Sequence, residues 1–135
     1  MPDSLRAARA LSVVVSGLTA ALALGAAPAS ATTEYIQGTV TNRYTYATNP
    51  HSVTVGGSNI YLQITDVGVP MKVFWYKCGQ RDVHGTAVDV GDGSRHKLGT
   101  NFKAGAQICL AYVGDIAESG VSLPWRGKLT LNVFS

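Results

Sequence analysis

MKVFWYKC, residues Met71 to Cys78, runs three aromatic side chains together and reaches one of the chain's two cysteines two positions later. In an extended chain, Met71, Val73, Trp75 and Lys77 share one face, and Lys72, Phe74, Tyr76 and Cys78 share the other. Both faces are apolar in the middle. A strand built this way lies between two layers, with a sheet on one side and a covering loop, strand or partner on the other.

Other segments alternate more simply. Ile60, Leu62 and Ile64 alternate with Tyr61, Gln63 and Thr65; Ile108, Leu110 and Tyr112 with Gln107, Cys109 and Ala111; Leu129, Leu131 and Val133 with Lys128, Thr130 and Asn132. A period of two gives each segment one face for a core and one for solvent or a second layer, and Val, Thr, Ile and Tyr suit a pleated surface. No comparable stretch has helical spacing. Glycines and prolines break the chain at the intervals of sandwich or barrel strands, and Asp92-Gly93 reads as a tight hairpin turn. One or two strands are predicted within 34–48, and others near 52–55, 59–67, 70–78, 85–90, 95–98, 106–113 and 127–134, about seven or eight in all. The expected fold is an all-β, antiparallel two-sheet β-sandwich, immunoglobulin-like or Greek-key, with one disulfide.

Residues 1–31 have the build of a secretory signal peptide: Arg6 and Arg9, an apolar stretch from Leu11 to Leu24, and the small-residue cleavage site Ala29-Ser30-Ala31. The apolar run is shorter than the roughly 20 residues that span a bilayer. A secreted, extracellular product without a membrane anchor is expected, with a single domain over 32–135. Without the leader the chain keeps nine of its eleven basic and seven of its eight acidic residues. Lys72, Lys77, Arg81, Arg95, Lys97, Lys103, Arg126 and Lys128 are interleaved with Asp82, Asp89, Asp92 and Asp115. Nucleic-acid binding calls for Lys and Arg clustered on one face, so the pattern reads as a solvated surface.

Cys78 and Cys109 are the only cysteines, and secretion places them in an oxidising medium. They are expected to form a bridge joining the two sheets, worth roughly 3.5 kcal/mol for a loop of about 30 residues. An exposed pair reserved for cross-linking to a partner is the lesser alternative. A zinc site normally wants four ligands, and His51, His84 and His96 show no ligand spacing. No metal or cofactor is expected. Nor does the sequence hold a nucleophile elbow, a paired-histidine helix motif or a phosphate-cradling glycine loop. In DVGDGSRH (Asp89 to His96), glycines stand where a calcium loop needs oxygen ligands. A chain this small and strand-rich leaves little room for a catalytic cleft, so neither an enzyme nor a small-molecule binder is expected.

Binding to other secreted proteins remains, with three candidate surfaces. The stretch 32–48 is polar and rich in tyrosine, with Tyr35, Tyr44 and Tyr46, and reads either as a first strand or as an extended arm that pairs edge to edge with a partner. In SLPWRGK, Trp125 and Arg126 follow a proline in what reads as the last inter-strand loop; such residues are enriched among interface anchors, although a Trp there is equally core closure. SRHKLG is a basic hairpin arm that reads as solvated surface. A second function class is a secreted inhibitor of a protease or other hydrolase, with Arg95 or Arg126 filling a trypsin-like pocket; neither arginine has a cysteine nearby to brace its loop. A third is a carbohydrate or cell-wall binding module that stacks sugars on Trp75, Tyr76 or Trp125.

VPMKVFWYKCG (Val69 to Gly79), LGTNFKAGAQICLAYVG (Leu98 to Gly114) and the closing WRGKLTLNVFS, together with the Ala-rich leader and the size of the remaining domain, resemble the small secreted one-disulfide β proteins of filamentous Gram-positive bacteria. Among these, the chain is most similar to the adaptor subunit of the umbrella toxin particles. The resemblance implies a non-catalytic adaptor that bridges lectin-bearing subunits and a large toxin-carrying polypeptide in an antibacterial particle. It transfers no site residues.

Overall fold

A computed structural model describes residues 31–134, so the leader assigned to 1–31 lies outside the described residues except for Ala31. The described residues form strands and no helix: β1 Thr32–Val40, β2 Thr45–Tyr46, β3 His51–Ser52, β4 Ser58–Val67, β5 Met71–Lys77, β6 Gln80–His84, β7 Val88–Asp89, β8 Arg95–Phe102, β9 Gln107–Gly114 and β10 Leu123–Val133. One sheet has the order β8-β4-β10-β1. The other runs β2-β9-β5-β6, with β3 also on β9 and β7 also on β5. Every pairing is antiparallel. The expectation of an all-β chain with two antiparallel sheets therefore holds.

The alternating residues build the space between the sheets. Ile60, Leu62 and Ile64 of β4 and Leu129 and Leu131 of β10 face Met71 and Val73 of β5 and Ile108, Leu110 and Tyr112 of β9 in a single core. Each buried aliphatic side chain contributes roughly 1.5–3 kcal/mol, so this shared face holds the two layers together.

MKVFWYKC lies in and just beyond β5, and its two faces do different things. Met71, Val73 and Trp75 belong to the core between the sheets. Phe74 and Tyr76 point outward into a second cluster with Cys109 and Ala111, covered by Tyr46 and the disulfide. The Tyr76 hydroxyl donates to Ala47 O at 2.6 Å, which pins the segment after β2 over this outer face. Cys109 and Ala111, read as solvent or second-layer positions, are thereby buried.

Cys78 and Cys109 do pair. The bridge does not join the two sheets, however: Cys109 is in β9, Cys78 follows β5, and these strands are neighbours in one sheet. It ties the turn between β5 and β6 to the neighbouring strand β9. Asp92-Gly93 makes its turn, with Gly93 at φ 81°, but joins no hairpin. The preceding β7 pairs with β5, whereas the following β8 pairs with β4 in the opposite sheet. A turn signal is local and does not specify which strand the chain meets next. Asn132, placed by alternation on the solvent side, is buried instead. Its left-handed backbone, φ 62°, breaks the alternation, and its Oδ1 accepts from the Thr54 and Val55 N–H groups at 3.0 and 3.2 Å.

Candidate functional site

The two flanks of the paired sheets differ. Along β1 and β3, His51 Nδ1 lies 2.6 Å from Glu34 Oε1 and bridges the gap between the layers, leaving a small pocket of about 140 Å³. Beneath this contact, Tyr112 and Trp125 meet edge to face with ring centroids 5.0 Å apart. The opposite flank, between β8 and β6, opens into an apolar cleft of about 700 Å³. This volume lies within the range of ligand-sized sites.

Trp75 and Phe102 form the cleft's aromatic floor, T-shaped with centroids 5.0 Å apart. Two glycines make room for the indole. A Cβ on Gly85 would collide with Trp75 Nε1, and one on Gly99 would lie 2.7 Å from that nitrogen and 2.6 Å from Phe102 Cζ. The Gly85 N–H donates to Trp75 O at 2.9 Å, holding this close approach. Asn101 adopts φ 58°, a left-handed conformation that Asn tolerates, and brings Phe102 inward. Val83, 39% exposed, forms a lip, and the 103–106 turn forms the other wall. That turn is anchored by Gly105 N–H donating to Val53 O at 2.7 Å and Val53 N–H donating to Ala106 O at 2.9 Å. Lys77, Thr100, Asn101, Lys103 and Gln107 supply the polar rim.

Among the described residues, this lining holds no acid–base pair and no group of three or more metal-ligating side chains. Ser94, His96 and Asp92 do meet at the turn before β8. Both Ser94 Oγ and Asp92 Oδ1 approach the same ring nitrogen, Nε2, at 3.0 and 2.8 Å. A catalytic triad uses one imidazole nitrogen for the carboxylate and the other for the hydroxyl; this arrangement does not. The His96 contact, with help from Ser94, holds the Asp92 carboxyl down at about 2.

The structure disperses the residues that the sequence singled out. Tyr44 and Tyr46 come together with Phe74 on the outer face of the disulfide-bearing sheet, with Tyr44 and Phe74 centroids 5.2 Å apart and the Arg81 guanidinium 3.9 Å from the Tyr46 ring. Tyr35, 82% exposed, stands on the other sheet in β1. The stretch 32–40 is no loose arm, because it pairs along its length with β10. Trp125 and Arg126 are not in a loop but in β10, facing opposite ways: Trp125 is core and Arg126 is exposed. Trp125 therefore offers no surface to a partner or a sugar, and buried Tyr76 offers none either. Arg126 sits in a strand paired on both sides, so it cannot enter a protease cleft as a free extended segment. Arg95 is stacked on Tyr61 at 3.9 Å. The lining residues Val83 and Phe102, and the glycines Gly85 and Gly99 that make room for the indole, passed unnoticed; the only sequence signal was the pair of glycines flanking a stretch that lies opposite an inward tryptophan.

No family model, curated protein or solved structure matches this chain.

Proposed function

We propose that the protein is a non-catalytic binding module that acts as an adaptor, taking an extended segment of a partner protein into the cleft over Trp75 and Phe102. The observation that carries this reading is the position of the cleft between β8 and β6, each the terminal strand of its sheet. A partner strand laid there gains main-chain hydrogen bonds from an open edge and a pocket for an apolar side chain, the two ingredients of strand addition. The Tyr44, Tyr46 and Arg81 surface lies on an outer sheet face and gives an adaptor its second, separate contact. We read the strand orders as the rolled double Greek key of jelly-roll domains, in which first and last strands pair in the same sheet, rather than as an immunoglobulin arrangement. The disulfide and the lack of a membrane-length apolar helix among the described residues are compatible with an extracellular setting. The partners we propose are other secreted subunits, such as those of an antibacterial toxin particle.

The test is capture of partners from the native secretion medium with the purified protein, followed by mass spectrometry and hydrogen exchange on the complex. Val83→Glu at the cleft lip should abolish capture of the cleft's partner, and Arg126→Ala should not. Binding should protect amides of β8 or β6. Capture unaffected by Val83→Glu, or protection confined to other strands, defeats the reading.

A further inference from the structure

The register of the sheet β8-β4-β10-β1 aligns residues far apart in the sequence. Arg95 pairs with Gln63, Gln63 with Lys128, and Lys128 with Tyr35. The next row is Lys97, Tyr61, Thr130 and Thr33. All eight occupy the outward positions of strands whose alternate residues fill the core, and seven of them, all but Lys97, line a shallow groove of about 350 Å³. The two rows hold three cations and no carboxylate. Neighbouring acids are otherwise engaged or out of line: Asp92 is held by Ser94 and His96, Glu34 contacts His51, and Asp66 lies across from Arg126 in the following row.

We propose that this face binds an anionic polysaccharide lying across the strands. Three inter-strand steps of roughly 4.8 Å make each row about 14 Å wide, long enough for several sugar units. The charge complementarity is explicit, and Arg95 is pre-positioned by its stack on Tyr61 with its N–H groups around the edge of the guanidinium plane. Thr33, Thr130 and Gln63 present hydroxyl and amide groups of the kind that pair with sugar hydroxyls. Tyr35, 82% exposed at the end of the row, provides a ring for stacking. An acidic protein segment fits less well. β4 and β10 are central strands with main-chain groups committed on both sides, so the face recognises by side chains alone. This inference concerns the face of the other sheet and stands apart from the cleft.

Affinity electrophoresis of the purified protein through polygalacturonate, its fully methyl-esterified form and poly-L-glutamate tests it. Retardation by polygalacturonate alone, weakening as salt rises, is expected. Arg95→Gln combined with Lys128→Gln should weaken it about tenfold, as two exposed charge contacts warrant, and Tyr35→Ala should weaken it severalfold, each with an unchanged melting temperature. Equal retardation by poly-L-glutamate would assign the face to acidic protein and overturn the proposal. So would no retardation by polygalacturonate, or retardation that survives the double substitution.

Discussion

Replacing Cys78 and Cys109 together by alanine removes a link that spans 31 positions of sequence. In the chain-entropy account a loop of this length restricts the unfolded ensemble by about 3.5 kcal/mol at 25 °C. The folded side contributes less. Seven register pairs, from Ile108 with Lys77 to Gly114 with Met71, hold β5 to β9 without the bridge. Cys109 is fully buried beside Phe74 and Ala111, and trimming its sulfur adds about 1 kcal/mol for the void. The expected loss of 4–5 kcal/mol is a large part of the roughly 5–15 kcal/mol that a domain of this size possesses. Urea unfolding followed by the fluorescence of Trp75 and Trp125 would measure it, with the denaturant slope rising because the uncrosslinked chain exposes more surface. Native-state hydrogen exchange should show β9 amides still protected relative to loops. A loss below about 1.5 kcal/mol at an unchanged slope, or selective loss of β9 protection in the folded state, would refute the assignment of the bridge's effect to the unfolded chain.

Gly38→Ala should cost about 1–3 kcal/mol in thermal or urea unfolding, because its Cβ would lie 2.8 Å from the Tyr112 hydroxyl and 2.9 Å from Trp125 Nε1. Asn132→Ala should cost about 1–3 kcal/mol, since it removes the two part-buried hydrogen bonds that the Thr54 and Val55 N–H groups donate to the buried Asn132 side chain; Asn132→Asp, which keeps Oδ1, should recover part of that loss. Carboxyl NMR should find Asp92 titrating near 2 rather than 3.8, with His96→Ala raising the midpoint more than Ser94→Ala. Because the folded pKa is depressed, the contribution of Asp92 to stability is present above the unfolded value and is lost as pH falls through about 2.

The period-two segments made the strands and the core legible, and the two apolar faces of MKVFWYKC announced a strand covered on both sides. What stayed hidden depends on which strands become neighbours. Pro124 suggested a loop, yet it is paired on its β1 side only, a position where the missing N–H costs no ladder bond. That misreading put Trp125 in a loop, where interface anchor and core closure were equal alternatives, whereas in β10 it is core. Acidic residues between the lysines and arginines suggested a mixed surface, but Asp82 and Asp89 lie in β6 and β7 of one sheet while Arg95, Lys97 and Lys128 lie in the other. Linear interleaving of charge carries no information about faces until register is known.

The disulfide and the cleft are linked by topology. Every residue of β6, β7 and β8 lies between Cys78 and Cys109, and Cys78 itself lines the cleft. The bridged excursion therefore supplies the cleft's lip at Val83, the glycines beside Trp75 and the ring of Phe102. The bridge and the Gly105 and Val53 hydrogen bonds curtail the freedom of these walls. On the proposed strand-addition reading, less ordering would remain to oppose association, and the crosslink would aid recognition even though it spans only neighbouring strands of one sheet. The Glu34 and His51 contact bridges the other flank, where the pocket is only about 140 Å³, while the Trp75 and Phe102 pair is reached from the β8 and β6 side.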